Sequence, residues 1–368
     1  MKTHRAAARL AAQALTLALF LSGCAARTDG NGADPKGAAG LSERTVFAMD
    51  TVIDMKIYGP EELLGEAETI LRESEERLSV TDEQSEVYAL NAGETVALSP
   101  STANTVGRAL ELCEMTEGAL DISIYPAVRA WGFTTDEQRV PSDAELGDIL
   151  TRVDWRKLKE AYGGALEDAD TPSDPDADEQ LLLTLPEGME IDLGAVAKGE
   201  AGQEIADMLK AQGISSAIIN LGGNVQTVGV KPDGSPWRVA VQDPFGDGLM
   251  LVTEIDDKSV ITSGGYERFF EKDGQLYWHI IDPSTGRPAD SGLVSVTIVG
   301  DDGMLCDALS TACFIMGLDR SEDLWRQLGS FEAVFVTSEG DVYVTEGLEK
   351  NTELVESYAG KEFIVIRR

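Results

Sequence analysis

A chain of 368 residues, 43% of them hydrophobic, is long enough to bury a substantial core in one large domain or two closely associated ones. Its formal charge of −35, from 65 acidic residues against 30 Lys and Arg, argues against a partner made of nucleic acid. A phosphorylated small ligand stays possible where a metal ion or locally placed Lys and Arg offset the charge.

The N-terminus carries Lys2, Arg5 and Arg9, then an apolar run at 11–21, then Leu21-Ser22-Gly23-Cys24. This is the layout of a secretory signal, with an apolar segment too short for a comfortable membrane span. The tetrapeptide resembles a bacterial lipobox. That reading makes 1–23 a lipoprotein signal peptide, Cys24 the lipidated first residue of the mature chain, and 24–40 a flexible tether. The alternative is an ordinary secretory signal with a chance cysteine, and either places the folded part, 41–368, outside the cytoplasm. Of the other cysteines, Cys306 and Cys313 stand seven apart in one expected helix, roughly 10 Å of rise and beyond disulfide reach. With Cys113 they read as buried free thiols rather than a zinc site.

The stretch 44–58, RTVFAMDTVIDMKIY, alternates as a strand with a polar break at Met49-Asp50-Thr51. A charged amphipathic helix is expected over 61–78, with Leu64, Ala67, Leu71 and Leu78 on its apolar side. Residues 79–91 read as irregular, and 100–116 as a second helix entered through Ser99. Ala119, Leu120 and Asp121, followed by Ser123, Pro126 and Trp131-Gly132-Phe133, read as a ligand-facing loop. The alternative is a turn closed by an Asx-type hydrogen bond from Asp121 beside a packed Trp131. Ser142 caps a short helix at 141–150, with Glu145 at the capping-box position. The acidic stretch at about 163–180 reads as a solvated surface insertion, because Glu179 and Leu185 occupy positions where a calcium loop needs Gly and Glu.

The segment 191–223 organises the chain. It reads as a strand ending in Asp192, a small-residue loop holding Gly194, Ala195, Lys198 and Gly199, a helix with Ala201, Ile205, Met208 and Leu209 on one face, a second strand and a Gly-Gly-Asn exit. Small residues ahead of a helix N-terminus let backbone approach an anionic ligand, which suggests a nucleotide site. The pattern is neither GxxxxGK[ST] nor GxGxxG, so a crowded strand-to-helix turn is the alternative. After strands at 237–242, 249–255 and 259–263 comes a Ser-Gly-Gly turn, with Arg268 either a fork for phosphate or carboxylate or a solvated side chain. His279 is the only histidine outside the signal segment, and reads as a packed core residue or as a base beside Asp282 and Arg287. On a helix at 304–317, Asp307, Ser310 and Thr311 fall at i, i+3 and i+4. This cluster of hard oxygens suits Mg²⁺; otherwise the hydroxyls bond back to the helix. Together the elements indicate an α+β fold of mixed sheets and packed helices in two intimately associated subdomains.

In order, the residues spell MDT at Met49, ALDISIYP then WGF, DLGAVAKG, LGGN, TSGGYER, HIIDPSTGRP and DALSTA. This series resembles the ApbE-like FAD:protein FMN transferases from about Arg44 to the C-terminus. The resemblance implies a membrane-anchored, extracytoplasmic lipoprotein that binds FAD as substrate with Mg²⁺, and transfers FMN to a Thr or Ser hydroxyl of another protein, releasing AMP. By matching position, FAD would be held near Met49, Ala119, Leu120, Asp121, Asp192, Lys198 and Ile281, with Arg268 at hand. Asp307, Thr311, Ser310 and the Ala195 carbonyl would take the metal, and His279 would be the base. Where the family carries an aromatic after the first helix, this chain reads Ser79-Val80-Thr81-Asp82, so that flavin contact is missing. No D-G-x-[ST]-G-A-[ST] acceptor is visible in the chain. The acceptor is therefore expected to be another flavoprotein, such as a redox-pump subunit or an FMN-binding-domain protein. An Mg²⁺-dependent FAD pyrophosphatase and a non-catalytic FAD-binding lipoprotein are the other readings.

Overall fold

The alternation of 44–58 breaks where Met49 (φ 51°) and Asp50 (φ 58°) both turn left-handed, and the chain reverses there. The single strand expected from the pattern is two, Leu41–Ala48 and Thr51–Tyr58, paired antiparallel with Ala48 opposite Thr51. Positive φ at both central residues is the geometry whose twist matches that of flanking strands. The computed structural model describes residues 40–135, 137–169 and 180–368. The expected signal peptide, the expected lipidation site at Cys24, all of the expected tether but Gly40, and most of the acidic stretch lie outside the described residues.

Leu41–Arg368 form one compact unit around a nine-stranded sheet. Its spatial order is Leu41–Ala48, Thr51–Tyr58, Ser216–Leu221, Asn224–Gly229, Ser259–Gly264, Leu293–Gly300, Phe331–Thr337, Val342–Thr345 and Ile364–Ile366. Neighbours are antiparallel except the last pair, which is parallel. The expected α+β class with mixed sheets is what the chain adopts.

Period-two alternation sends side chains to two different layers. On one face Ile53, Met55, Ile57, Ala217 and Ile219 pack against Leu64 and Leu71 of the helix Glu62–Leu78 and against Ala201 and Ile205 of the helix Gly194–Ala211. Farther along, Val296, Ile298, Ala333 and Phe335 meet Leu309 and Phe314 of the helix Gly303–Met316. The opposite face is covered by a three-stranded sheet, Trp237–Gln242, Leu249–Ile255 and Thr352–Leu354, which buries Val225, Val260, Val334 and Val344. A further helix, Pro100–Met115, is capped by Ser99 as expected and joins a separate cluster with Val196, Met304 and Ala308.

Two other expectations change. Residues 79–91 are not wholly irregular, since Ser85 caps a short helix, Glu86–Asn91. The small residues after Asp192 do not form a loop, because the helix begins at Gly194 and already contains Ala195, Lys198 and Gly199. Cys113, Cys306 and Cys313 are buried and free, as read from their spacing.

Candidate active site

The site is built on the closest approach of two helices. A Cβ added at Gly199 would lie 2.7 Å from both the Gly303 carbonyl carbon and the Asp307 Cβ, and closer still to the Gly303 oxygen. Gly303 is equally confined by Gly199 from the other side. With no side chain at either position the backbones touch, and Asp307, one turn beyond Gly303, lies against the first turns of the Gly194 helix. Its Oδ2 accepts the Gly199 N–H at 2.8 Å. A regular helix directs that N–H to the carbonyl four residues back, here Ala195, so the Ala195 carbonyl keeps lone-pair capacity one turn from the Gly199 amide that bonds Asp307.

Asp307 is 5% exposed, and its Oδ1 accepts from the side-chain amide of Asn224 at 3.0 Å. Burial pushes its carboxyl above the usual range, while the Lys198 charge and these two donors pull it back. Ser310 is fully buried and donates to the Asp307 carbonyl at 2.8 Å. Ser263 lies 2.7 Å from Ser310 and 3.3 Å from the half-buried Thr311. The helix therefore brings Asp307, Ser310 and Thr311 together as the spacing required, and the adjacent strand adds Ser263.

These donors fit a hard cation. Among the described residues no group of three or more His, Cys, Asp and Glu converges. An ion here would rest on one carboxylate, the Thr311 hydroxyl and the Ala195 carbonyl, with Ser310 behind them, and phosphate oxygens and water would complete its shell. That low protein ligand count is what Mg²⁺ tolerates beside phosphates. The two hydrogen bonds to Asp307 leave each carboxylate oxygen a further lone pair.

Around this cluster lie charged groups from distant segments. Lys198 is half-buried, and its charge reaches Asp307, Glu267 and His279. Arg268 forms an ion pair with Asp50 at 3.6 Å and also acts on Asp192, whose Oδ1 accepts the Gly194 N–H at 2.8 Å. Burial raises the Asp192 carboxyl against those two influences. The Met49–Asp50 turn thus closes over Arg268, and the Met49 N–H donates to Glu75 at 3.0 Å. His279 donates its backbone N–H to the Arg268 carbonyl at 3.0 Å, and its Nδ1 stands 3.3 Å from the same oxygen. Burial, then Arg268 and Lys198, hold its imidazole down to about 3, so the ring is neutral at ordinary pH.

Glu267, in the TSGGYER motif beside Arg268, has a setting that its sequence neighbours do not reveal. It is an exposed residue whose carboxyl is pushed up to about 7 by partial loss of hydration and the Asp307 charge, against the pull of Lys198 and Arg268. Only its neighbour's charge had been legible.

Not every expected residue presents its side chain. Asp121 is 6% exposed: its Oδ1 accepts the Ser123 N–H and hydroxyl at 2.9 and 2.6 Å, and its Oδ2 accepts the Trp155 N–H at 3.1 Å. Ala119 and Leu120 are buried in the core. The three can offer a ligand backbone rather than side chains, and of the two readings the structure adopts the turn closed by an Asx-type hydrogen bond from Asp121 beside a packed Trp131. Trp131 is packed, its indole N–H donating to the Gly286 carbonyl at 2.7 Å and so tying WGF to the DPSTGRP turn. Ile281 is buried beside Trp131 and pairs with Pro288 across that turn. The segment Ser79–Asp82 has no aromatic of its own, but Tyr125 reaches it, with its hydroxyl 3.5 Å from the Val80 carbonyl. Tyr125 also lies close enough to Asp192 to feel its charge, a link that no local pattern signalled.

Comparison with known proteins bears on this arrangement. The chain is 34% identical over 307 residues to the FAD:protein FMN transferase of Treponema pallidum, covering 80% of this chain and 82% of that one. It is 31% identical over 316 residues to the Vibrio cholerae enzyme of the same name, covering 83% and 87%. Among solved structures, the ApbE protein of Thermotoga maritima superposes with a TM-score of 0.75 at 29% identity, over 85% of this chain and 99% of that one. The flavin transferase ApbE of Vibrio cholerae gives 0.70 at 28% identity, over the same shares. The ApbE family model matches residues 49–335, from the Met49 turn through the Gly303 helix to the strand beyond it, and the chain belongs to the ApbE family.

Proposed function

We propose that this enzyme transfers the FMN moiety of FAD to a Thr or Ser hydroxyl of an acceptor flavoprotein in an Mg²⁺-dependent reaction that releases AMP. The observation that carries this reading is the convergence of Asp307 and Thr311 with Lys198, Arg268 and His279 at the closest approach of the two helices. The names of the curated relatives support it.

Phosphoryl-type transfer depends mainly on positioning and charge neutralisation. Lys198 and Arg268 hold the pyrophosphate, with the Gly194 helix N-terminus adding a favourable dipole. Asp307, Thr311 and the Ala195 carbonyl, with Ser310 supporting, would hold a cation, which would supply Lewis-acid neutralisation of the same phosphates. The acceptor oxygen forms a bond to the FMN phosphorus as the bridge to AMP breaks, and the hydroxyl proton passes to His279. In the tautomer that donates Nδ1–H to the Arg268 carbonyl, the ring presents the Nε2 lone pair for that proton. Phosphate charge beside Arg268 and Lys198 offsets the two cations that depress the ring, so it becomes more basic once FAD is in place.

The signal-like segment at 1–23, followed by Cys24, supports an extracytoplasmic, lipid-anchored location, with the acceptor a separate protein bearing a D-G-x-[ST]-G-A-[ST]-like segment. Incubation with FAD, Mg²⁺ and such a protein tests the reading: covalent FMN on the acceptor with one AMP released is expected. Free FMN and AMP without acceptor would make the enzyme a pyrophosphatase instead, and unchanged FAD a carrier. His279→Ala is expected to keep FAD affinity and lose transfer, and a wild-type transfer rate would remove His279 from the reaction.

A further inference from the structure

Every hydroxyl hydrogen in the Asp307 cluster has one destination when the partners are taken in order. The Ser310 hydroxyl donates to the Asp307 carbonyl at 2.8 Å. Its hydrogen spent, Ser310 can only accept across the 2.7 Å to Ser263, which makes Ser263 the donor. Ser263 has then used its own hydrogen and can only accept from Thr311, 3.3 Å away. The chain of bonds runs from Thr311 to Ser263 to Ser310 to the Asp307 backbone, and leaves Thr311 Oγ1 with lone pairs free. Asn224 does the corresponding work on the carboxylate. Its amide, 4% exposed, donates to Oδ1 while the Gly199 N–H holds Oδ2, so the plane of the carboxylate is fixed from two sides.

Both groups come from one end of two neighbouring strands. Asn224–Gly229 and Ser259–Gly264 are paired antiparallel, with Val225 opposite Val260, so the start of one and the end of the other lie beneath the same helix face. Burial makes the arrangement stiff, since Ser263 is 9% exposed and Ser310 fully covered.

We infer that Asn224 and Ser263 are positioning residues for a divalent cation: Asn224 orients the Asp307 carboxylate, and Ser263 polarises the hydroxyl chain so that Thr311 faces the cation as an acceptor. This rests on the reading of Asp307 and Thr311 as cation ligands. Groups that orient metal ligands in this way typically change metal affinity by about 10–100-fold when removed.

The test is Mn²⁺ binding to the FAD-free protein by electron paramagnetic resonance, with melting temperature in chelator as a separate readout of folding. Asn224→Ala and Ser263→Ala are each expected to weaken Mn²⁺ binding by about 10–100-fold. Ser263→Thr, which keeps the hydroxyl, is expected to bind like the wild type. Unchanged affinity in both alanine variants overturns the inference, as does a threonine variant as weak as the alanine. Should Asn224→Ala fail to fold, Ser263→Ala decides, because it deletes one oxygen and leaves the Ser310 bond to the Asp307 carbonyl in place. Asp307→Ala separates the two levels. If it binds Mn²⁺ as the wild type does, the cation site itself is refuted; if it abolishes binding while both alanine variants keep it, only the positioning roles are.

Discussion

Replacing Gly199 by alanine sets two effects of opposite sign against each other. Helix propensity alone favours alanine over glycine by about 1 kcal/mol. The new Cβ, however, would sit 2.7 Å from the Gly303 carbonyl carbon and from Asp307 Cβ, where ordinary contact begins near 3.4 Å. The helices must part by most of an ångström, and overpacking of this kind costs about 1–3 kcal/mol. Parting also lengthens the 2.8 Å bond from the Gly199 N–H to Asp307, and a hydrogen bond to a charged group contributes about 1.5–3 kcal/mol. The net expectation is a loss of about 1.5–5 kcal/mol. Chemical denaturation of the metal-free protein measures it, with Gly164→Ala as the control. Gly164 lies on the helix Trp155–Ala169 with nothing within 4 Å of its Cβ position, so alanine there is expected to gain up to about 1 kcal/mol. If Gly199→Ala is as stable as the parent, the two helices do not touch at this point and the placement of Asp307 is wrong.

Glu200→Ala is expected to cost about 3–5 kcal/mol, because it strands Arg77, which bonds Glu200 at 2.9 Å and Thr105 at 2.8 Å in a largely buried junction of three helices. Double substitution with Arg77→Met should recover part of the loss, and no recovery would argue against the pairing. His279, with its folded value near 3, lies below the ordinary 6.5, so the unfolded chain protonates first as pH falls. Its contribution to stability is complete above about 6.5 and lost between there and about 3. NMR should find no imidazole titration for His279 between pH 5 and 8, and Arg268→Gln should move it upward. Asp50→Gly removes a left-handed non-glycine residue, a conformation costing roughly 1–2 kcal/mol, at the expense of an exposed ion pair with Arg268. A higher denaturation midpoint is expected, and a lower one would show that the ion pair outweighs the backbone.

Local pattern reached far into this chain where burial followed a simple period. Leu64, Ala67, Leu71 and Leu78 are buried on one helix face, as their spacing requires, and Asp307, Ser310 and Thr311 meet as i, i+3 and i+4 residues. It stopped where tertiary contact overrode local preference. Gly194, Ala195 and Gly199 look like a loop because two are poor helix formers, yet the helix runs through them and the glycine at 199 is what allows the Gly303 helix to approach. Met at a position that hairpin turns reserve for Asn or Gly hid the reversal at 49–50. Asn224, Ser263 and Tyr125 stand in the LGGN, TSGGYER and ALDISIYP motifs, but their roles are not legible there, since these come from partners 83, 47 and 45 residues away.

That separation has a kinetic side. Thr51–Tyr58 pairs with Ser216–Leu221, Ile57 opposite Ala217, about 160 residues later. Loop closure over such a span has to be met before any of its hydrogen bonds form, and topologies dominated by distant pairings fold slowly. During synthesis the N-terminal hairpin emerges with its inner edge, the apolar strand Thr51–Tyr58, waiting for a partner not yet made. The Met49 turn can therefore take its place over Arg268 only once the strands from Thr51–Tyr58 through Ser259–Gly264 have paired, which ties the appearance of this part of the site to the long-range pairings of the sheet.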